Sequence, residues 1–234
     1  MDIRQYIEAS YSKHVKFFEE SEVFQCLIFG DADKAFYDNF IANVCQTHLK
    51  SPQILAFLYS AAPPTVAAHI KHNMLEELGL DEQGISHPSL LHKLADSAGF
   101  TQEIIQQLEN GFQEELKELM SQPFLFGTLK EFGLSVLLEV TCFEWMLSRL
   151  SSRIGKALEQ YHHLSRASLE WFYHHSEVDI RHAEEGLDSV VNYIEYYGFE
   201  EEDLFVIIDI TFRENIFIKR YFGEFALAME TQMI

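Results

Sequence analysis

Apolar side chains recur along this chain at intervals of three and four, the spacing of one helix face. No segment alternates convincingly at the period of two that a half-buried strand requires. Residues 2–20 read as a first helix. Asp31 or Asp33 caps a second, which runs to about Leu49 and carries Phe36, Phe40, Val44 and Leu49 on one side. Ser51-Pro52 restarts a helix, since Ser suits the cap and Pro the first turn, and Pro63-Pro64 ends it. A helix from Thr65 to Leu78 stops at Gly79, Pro88 opens a short one ending near Gly99, and Thr101 caps the next, to about Ser121. The loop QPFLFGT leads to a long helix over roughly 128–160. Another begins near Ser165 or Ser168 and continues to Tyr197-Gly198. The last starts in the acidic run Glu200–Asp203, a favourable helix N-terminus, and reaches about Leu227. The expected architecture is all-α, about eight or nine helices in one domain spanning 1–234.

Composition agrees with this and narrows the partners. Five Pro and eleven Gly are too few for a loop-rich all-β chain, and 47% hydrophobic residues suffice for a real core. Seventeen basic against thirty-seven acidic side chains give a formal charge of −20, which disfavours nucleic acid and anionic membrane surfaces. No run of eighteen apolar residues is present to span a membrane, and the N-terminal twenty residues lack an apolar signal core. Cys26, Cys45 and Cys142 are odd in number and form no CxxC, so a reducing, cytoplasmic setting is expected rather than a disulfide framework or a thiolate zinc site.

Three features stand out from ordinary helix surface. In His175-Ser-Glu-Val-Asp179-Ile-Arg-His182 the two imidazoles and the carboxylate fall at i, i+4 and i+7, within about 60° of one helix face. Such a set suits Zn, Mn or non-haem Fe; the alternative is a polar solvated face with His–Asp hydrogen bonds. Glu139 interrupts the apolar run GLSVLLEVTCF on a helix that should be mostly buried, where a carboxylate must find a cation, a donor or a proton. Glu144 lies about 140° round the same helix, so both cannot face one site, and Glu139 is favoured because Phe143 and Trp145 flank Glu144. Glu76-Glu77 at one helix end and His87, held before Pro88, can converge across the intervening loop; the alternative is an ordinary turn. Together these supply three His and three carboxylates, more than one zinc needs and the kind of set with which helical proteins hold two metal ions.

These residues resemble those of the haem-oxygenase-like di-iron oxidases, a helical superfamily that includes fatty-acid decarboxylases, N-oxygenases and amino-acid-fragmenting lyases. Phe24–Gly30 with Ser51-Pro52, Asn73–Gly79 with Ser86-His87, the Gly133-to-Glu139 helix, and His175, Asp179 and His182 followed by Ala-Glu-Glu carry the resemblance over most of the chain. It implies a haem-oxygenase-like bundle in which Glu77, His87, Glu139, His175, Asp179 and His182 hold two Fe ions, with Glu76 as the alternative to Glu77 and manganese or a mixed pair as alternative metals. It implies O2 as co-substrate, oxidation of a small fatty-acid-like or amino-acid-like substrate, and a homodimer. One branch of the superfamily consumes its own Tyr and Lys to make p-aminobenzoate; Phe24 and Arg149 stand at the corresponding positions, so the resemblance does not extend to that chemistry. Asp209 and Arg213 are further candidates, as a partner to a ligand and as an anchor for a substrate carboxylate, with surface ion pairing as their alternative.

Other functions compete on the same fold. A haem protein would use an axial His in the first helix, for which His14 is available. A thiaminase-like hydrolase would need a nucleophilic Cys, and Cys142 sits in an apolar run where thiols are usually inert. A non-enzymatic interaction protein with a single-metal or vestigial site is the remaining alternative. From Glu177 to Asp203 ten acids face one base, so nearly half of the net charge gathers around one proposed metal helix.

Overall fold

The computed structural model describes residues 2–82, 84–121 and 126–214. The expected last-helix end near Leu227 and part of the QPFLFGT loop fall outside them. Within them the chain forms ten helices and no strand: α1 (Ile3–Glu19), α2 (Glu22–Phe29), α3 (Lys34–His48), α4 (Ser51–Ala61), α5 (Pro64–Glu77), α6 (His87–Ser97), α7 (Gln102–Ser121), α8 (Leu129–Tyr161), α9 (Glu170–Tyr197) and α10 (Glu201–Glu214). The helix missing from the sequence reading is α2, only eight residues long. Its ends are nevertheless defined: Ser21 Oγ accepts the Phe24 N–H, and Gly30 closes it in the left-handed region. The other expected difference is at α9, which starts at Glu170 because Ser165 and Ser168 form a hydroxyl-closed turn instead of the first helical turn.

The two long helices α8 and α9 make the most extensive helix–helix contact in the bundle. They run antiparallel: Gly133 meets Tyr193, Gly186 meets Thr141, and Gly155 meets Tyr173 and Phe172. Ser151 Oγ donates to the Phe172 carbonyl at 2.7 Å, and Tyr193 donates to the Lys130 carbonyl at 3.1 Å. Thr128 and Glu131 form a reciprocal capping box that fixes the start of α8. From Gly133 to Leu158 this helix is buried on most of its circumference, against α9 on one side and α1, α2, α4 and α10 elsewhere.

A second local device joins α5 to α6. Gly79 adopts φ +67° and closes α5, and an isolated antiparallel bridge pairs Leu78 with Ser86. Ser86 Oγ then caps α6. The loop is thereby pinched at its base, so the last residues of α5 and the first of α6 stand together.

Both contacts rest on the absence of a side chain. A Cβ on Gly186 would stand 2.7 Å from Thr141 Cγ2, and one on Gly79 would stand 2.6 Å from the Ser86 backbone nitrogen. Gly186→Val should therefore lower unfolding free energy by about 1–3 kcal/mol through overpacking, read from urea denaturation. Gly79→Ala should cost about 1–2 kcal/mol from the left-handed backbone, with more from the backbone collision. Wild-type denaturation midpoints for both variants would contradict this description of the packing.

Candidate metal centre

The pinched loop sets Glu77, at the end of α5, beside His87, at the start of α6: Nδ1 of His87 is 2.7 Å from Oε1 of Glu77. Across from them α9 presents His175, whose Nε2 lies 3.7 Å from the same oxygen. One atom from each of Glu77, His87 and His175 can be chosen so that all three lie within 4.8 Å of one another, close enough to share a metal ion. The ring of His175 is oriented by its own helix, with Nδ1 donating to the Trp171 carbonyl at 2.7 Å and Nε2 turned toward Glu77. Ser51 Oγ donates to the other oxygen of Glu77 at 2.9 Å.

One turn further along α9, Asp179 and His182 extend the cluster. Nδ1 of His182 is 3.3 Å from Oδ1 of Asp179, and its Nε2 is 2.6 Å from Oε2 of Glu76. Arg181 pairs with the other oxygen of Glu76. Asp179 is 2% exposed, and its Oδ2 has no hydrogen-bond partner among the described residues. Glu144, from α8, comes between the long helices near Gly186, and Asn73 of α5 donates to its Oε1.

The electrostatics follow from burial and close pairing. Burial opposes the ionised form of Glu77, but the charges and hydrogen bonds of His87 and His175 outweigh it and hold its pKa well below the usual range. Glu76 is opposed by burial in the same way, yet His182 and Arg181 bring it down to about 2. For His182 burial favours the neutral ring, while hydrogen bonds to Asp179 and Glu76 and the charge of Glu144 raise it to about 11. His175 is also raised, against burial, by Asp179 and Glu77. Glu144 is pushed up to about 7 by loss of water, an effect that His182 moderates and Asp179 reinforces.

Not every expected residue lines the cavity beside this cluster. Glu139 is buried, but it lies on the stripe of α8 that holds Ser135 and Cys142, and Ser135 accepts a hydrogen bond from Thr211 of α10. It is Glu144 that shares the cavity beside Glu77, His175 and Asp179. The cavity lining thus contains Glu144 where the sequence favoured Glu139. Phe143 and Trp145 are themselves buried, so these flanking aromatic residues do not mark an outer edge of α8. Counted from Glu144 instead of Glu139, the position ten residues on is Ile154, a buried aliphatic; Arg149 lies over the Trp145 ring at 3.7 Å. Asp209 and Arg213 pair with each other at 3.5 Å on exposed α10 and line a groove against α1, so neither reaches the cluster. His14 lines that same groove, away from the carboxylates. Cys142 is buried, and desolvation raises its thiol pKa, the opposite of what a nucleophile needs.

Four contributors escaped the sequence reading. Ser51 and Asn73 hold carboxylates, His174 places its Nε2 3.1 Å from Nε2 of His87, and His48 stacks on Phe143 at the cavity wall. Burial lowers the pKa of His48 to about 3 and of His174 to about 4, so both rings are neutral. The ring of His174, next to His175 in the chain, was the one with a readable signal: on a helix, adjacent residues can reach adjacent partners on a neighbouring element.

Beside the cluster lies a cavity of about 620 Å³, open solvent at its mouth included. Glu77, Glu144, His175 and Asp179 form one end, and Ile54, Leu55, Phe143 and Leu147 form apolar walls. The donor set itself suits a divalent transition-metal ion: buried carboxylate oxygens and imidazole nitrogens, with one buried carboxylate oxygen left without a partner among the described residues.

Comparison with known proteins agrees with this chemistry. No curated protein matches the chain. A family model described as "Iron-containing redox enzyme" matches residues 38–204, from α3 through the start of α10 and across every residue of the cluster. No helix among the described residues is long and apolar enough to cross a membrane. With its all-α bundle and a family match over more than two thirds of its length, the chain belongs to the iron-containing redox enzymes of the haem-oxygenase-like superfamily.

Proposed function

We propose that this protein is a non-haem di-iron oxidase or oxygenase that uses O2 to oxidise a small organic substrate, fatty-acid-like or amino-acid-like. In this reading Glu77, His87 and His175 hold one ion, and Glu144, Asp179 and His182 hold the other. The observation that carries it is Oδ2 of Asp179, a buried carboxylate oxygen with no hydrogen-bond partner among the described residues, set between two groups of donors. A buried polar atom without a partner is costly, and a cation at that place removes the cost. Bound there, two iron ions would supply the electrons that reduce O2 and the oxidising power applied to the substrate.

The chain's own contribution is binding and exclusion. Ile54, Leu55, Phe143 and Leu147 grip the apolar part of a substrate and keep water from the reacting end. Ser51 and Asn73 fix one oxygen each of Glu77 and Glu144, and the other oxygen of Glu77 faces His87 and His175, where a metal ion would be shared. The same reading expects a homodimer in a reducing cytoplasm, where its three thiols remain free.

Anaerobic titration of the metal-free protein with Fe(II) should saturate at two ions per chain. Asp179→Ala and Glu144→Gln should each reduce this to about one, and Glu139→Gln should leave two. Retention of both irons in Asp179→Ala, or less than one in the wild type, would falsify the proposal. With both sites filled, O2 consumption should rise on adding a member of a fatty-acid and amino-acid panel; no response to any member would contradict the oxidase reading.

Metal uptake should also displace protons. The pKa of His182, raised to about 11, keeps its ring protonated near neutral pH in the metal-free protein, and that of His175 is raised as well. A cation must replace one proton on His182, so affinity should rise with pH by roughly tenfold per unit for each proton released. Proton release into weakly buffered solution on adding Fe(II) measures this directly. An affinity unchanged between about pH 6 and pH 8 would contradict it.

A further inference from the structure

An imidazole can hold a metal ion only through a ring nitrogen that carries no proton, and the hydrogen bond made by the other nitrogen decides which one that is. For His175 the backbone decides, through the Trp171 carbonyl. For the other two rings the partner is a side chain to which neither the ligand set nor the substrate cavity gives a role. His182 turns Nδ1 to Asp179 and Nε2 to Glu76, which Arg181 in turn holds. His87 turns Nδ1 to Glu77 and Nε2 to Nε2 of His174.

Both partners line a cavity other than the substrate cavity. Glu76 and His174 line a separate small cavity together with His87, His182 and Val178. Neither borders the apolar cavity that Glu77, Glu144, His175 and Asp179 close at one end. Neighbouring positions on a helix point about 100° apart, which is why the adjacent Glu76 and Glu77 reach different rings.

We propose that Glu76, braced by Arg181, and His174 are positioning residues that fix the tautomers of His182 and His87, so that each ring presents Nδ1 to metal. The assignment rests on the two-ion reading of the cluster. A proton held on Nε2 and donated outward to Glu76 or to His174 leaves the Nδ1 lone pair facing inward. Those Nδ1 atoms already stand beside Asp179 and Glu77, so no ring has to flip on loading. The carboxylate of Glu76 additionally makes its imidazole more basic and a stronger donor to a cation. Glu76 thereby has a task distinct from that of Glu77: it holds a ligand and is not one.

The test is anaerobic Fe(II) titration of the full chain in five forms: wild type, Glu76→Ala, Glu76→Gln, His174→Leu and His174→Gln. The Ala and Leu variants should still reach two ions per chain but bind one of them about 10–100-fold more weakly. The Gln variants, which keep an acceptor oxygen, should recover most of that loss. The ligand-field absorption of Co(II)-loaded protein should shift in the Ala and Leu variants and return in the Gln variants, a change that loss of fold alone would not produce. If Glu76→Ala does not fold, Arg181→Met should weaken the same ion from the protein surface. A wild type that takes two irons, with Ala and Leu variants of equal affinity, overturns the positioning role alone. Gln variants as weak as Ala and Leu overturn the tautomer argument. A wild type that takes fewer than two overturns the two-ion reading and this assignment with it.

Discussion

Ionisable groups inside an apolar helical core have to be compensated within a few ångströms, because an unpaired buried charge costs about 3–5 kcal/mol. This bundle gathers Glu76, Glu77, Glu144 and Asp179 with His87, His175 and His182 in one such interior region. Each carboxylate there leans on an imidazole, an amide or the single guanidinium of Arg181. The network is self-consistent in its charges but leaves one oxygen of Asp179 unmet among the described residues. A fold under selection for stability alone would replace such a network with aliphatic packing, which is often at least as stable. Its presence is the physical reason to read the region as a site.

The rest of the architecture serves to bring those groups together. Glycine at position 186 lets α8 and α9 approach closely enough for Glu144 to stand beside the face that carries Asp179 and His182. Glycine at position 79, with the Leu78–Ser86 bridge, closes the α5–α6 turn so that Glu77 and His87 come within hydrogen-bond reach. Four separate helices thus deliver the donors, and each delivery depends on a local backbone feature instead of on long flexible side chains. The apolar cavity then falls where α3, α4, α8 and α9 surround the carboxylate end of the cluster, so substrate and cluster share one wall.

How much of this could be read beforehand varied with the kind of signal. The face carrying His175, Asp179 and His182 was legible because helix periodicity fixes it without reference to any neighbour. Glu77 and His87 were legible as a pair, because a glycine stop and a proline start bounded a short loop, although the choice between Glu76 and Glu77 was not. Glu139 and Glu144 were not separable, since both sit among apolar neighbours on the stretch of α8 that is buried on most of its circumference. The helix α2 was hidden by its length, which gives barely two turns over which a period can repeat. The partners Ser51 and Asn73 belong to tertiary geometry: nothing local in their sequence marks a hydroxyl or an amide as facing a carboxylate.

The central claim is that this cluster would hold two metal ions, one with Glu77 and the other with Asp179. Anomalous diffraction from crystals of the protein loaded anaerobically with Fe(II) tests it most directly. The account predicts two peaks per chain about 3.5–4 Å apart. One should be bounded by Glu77, His87 and His175, and the other by Glu144, Asp179 and His182. A single peak, or a peak ligated by Glu139 with Glu144 turned away, would contradict it.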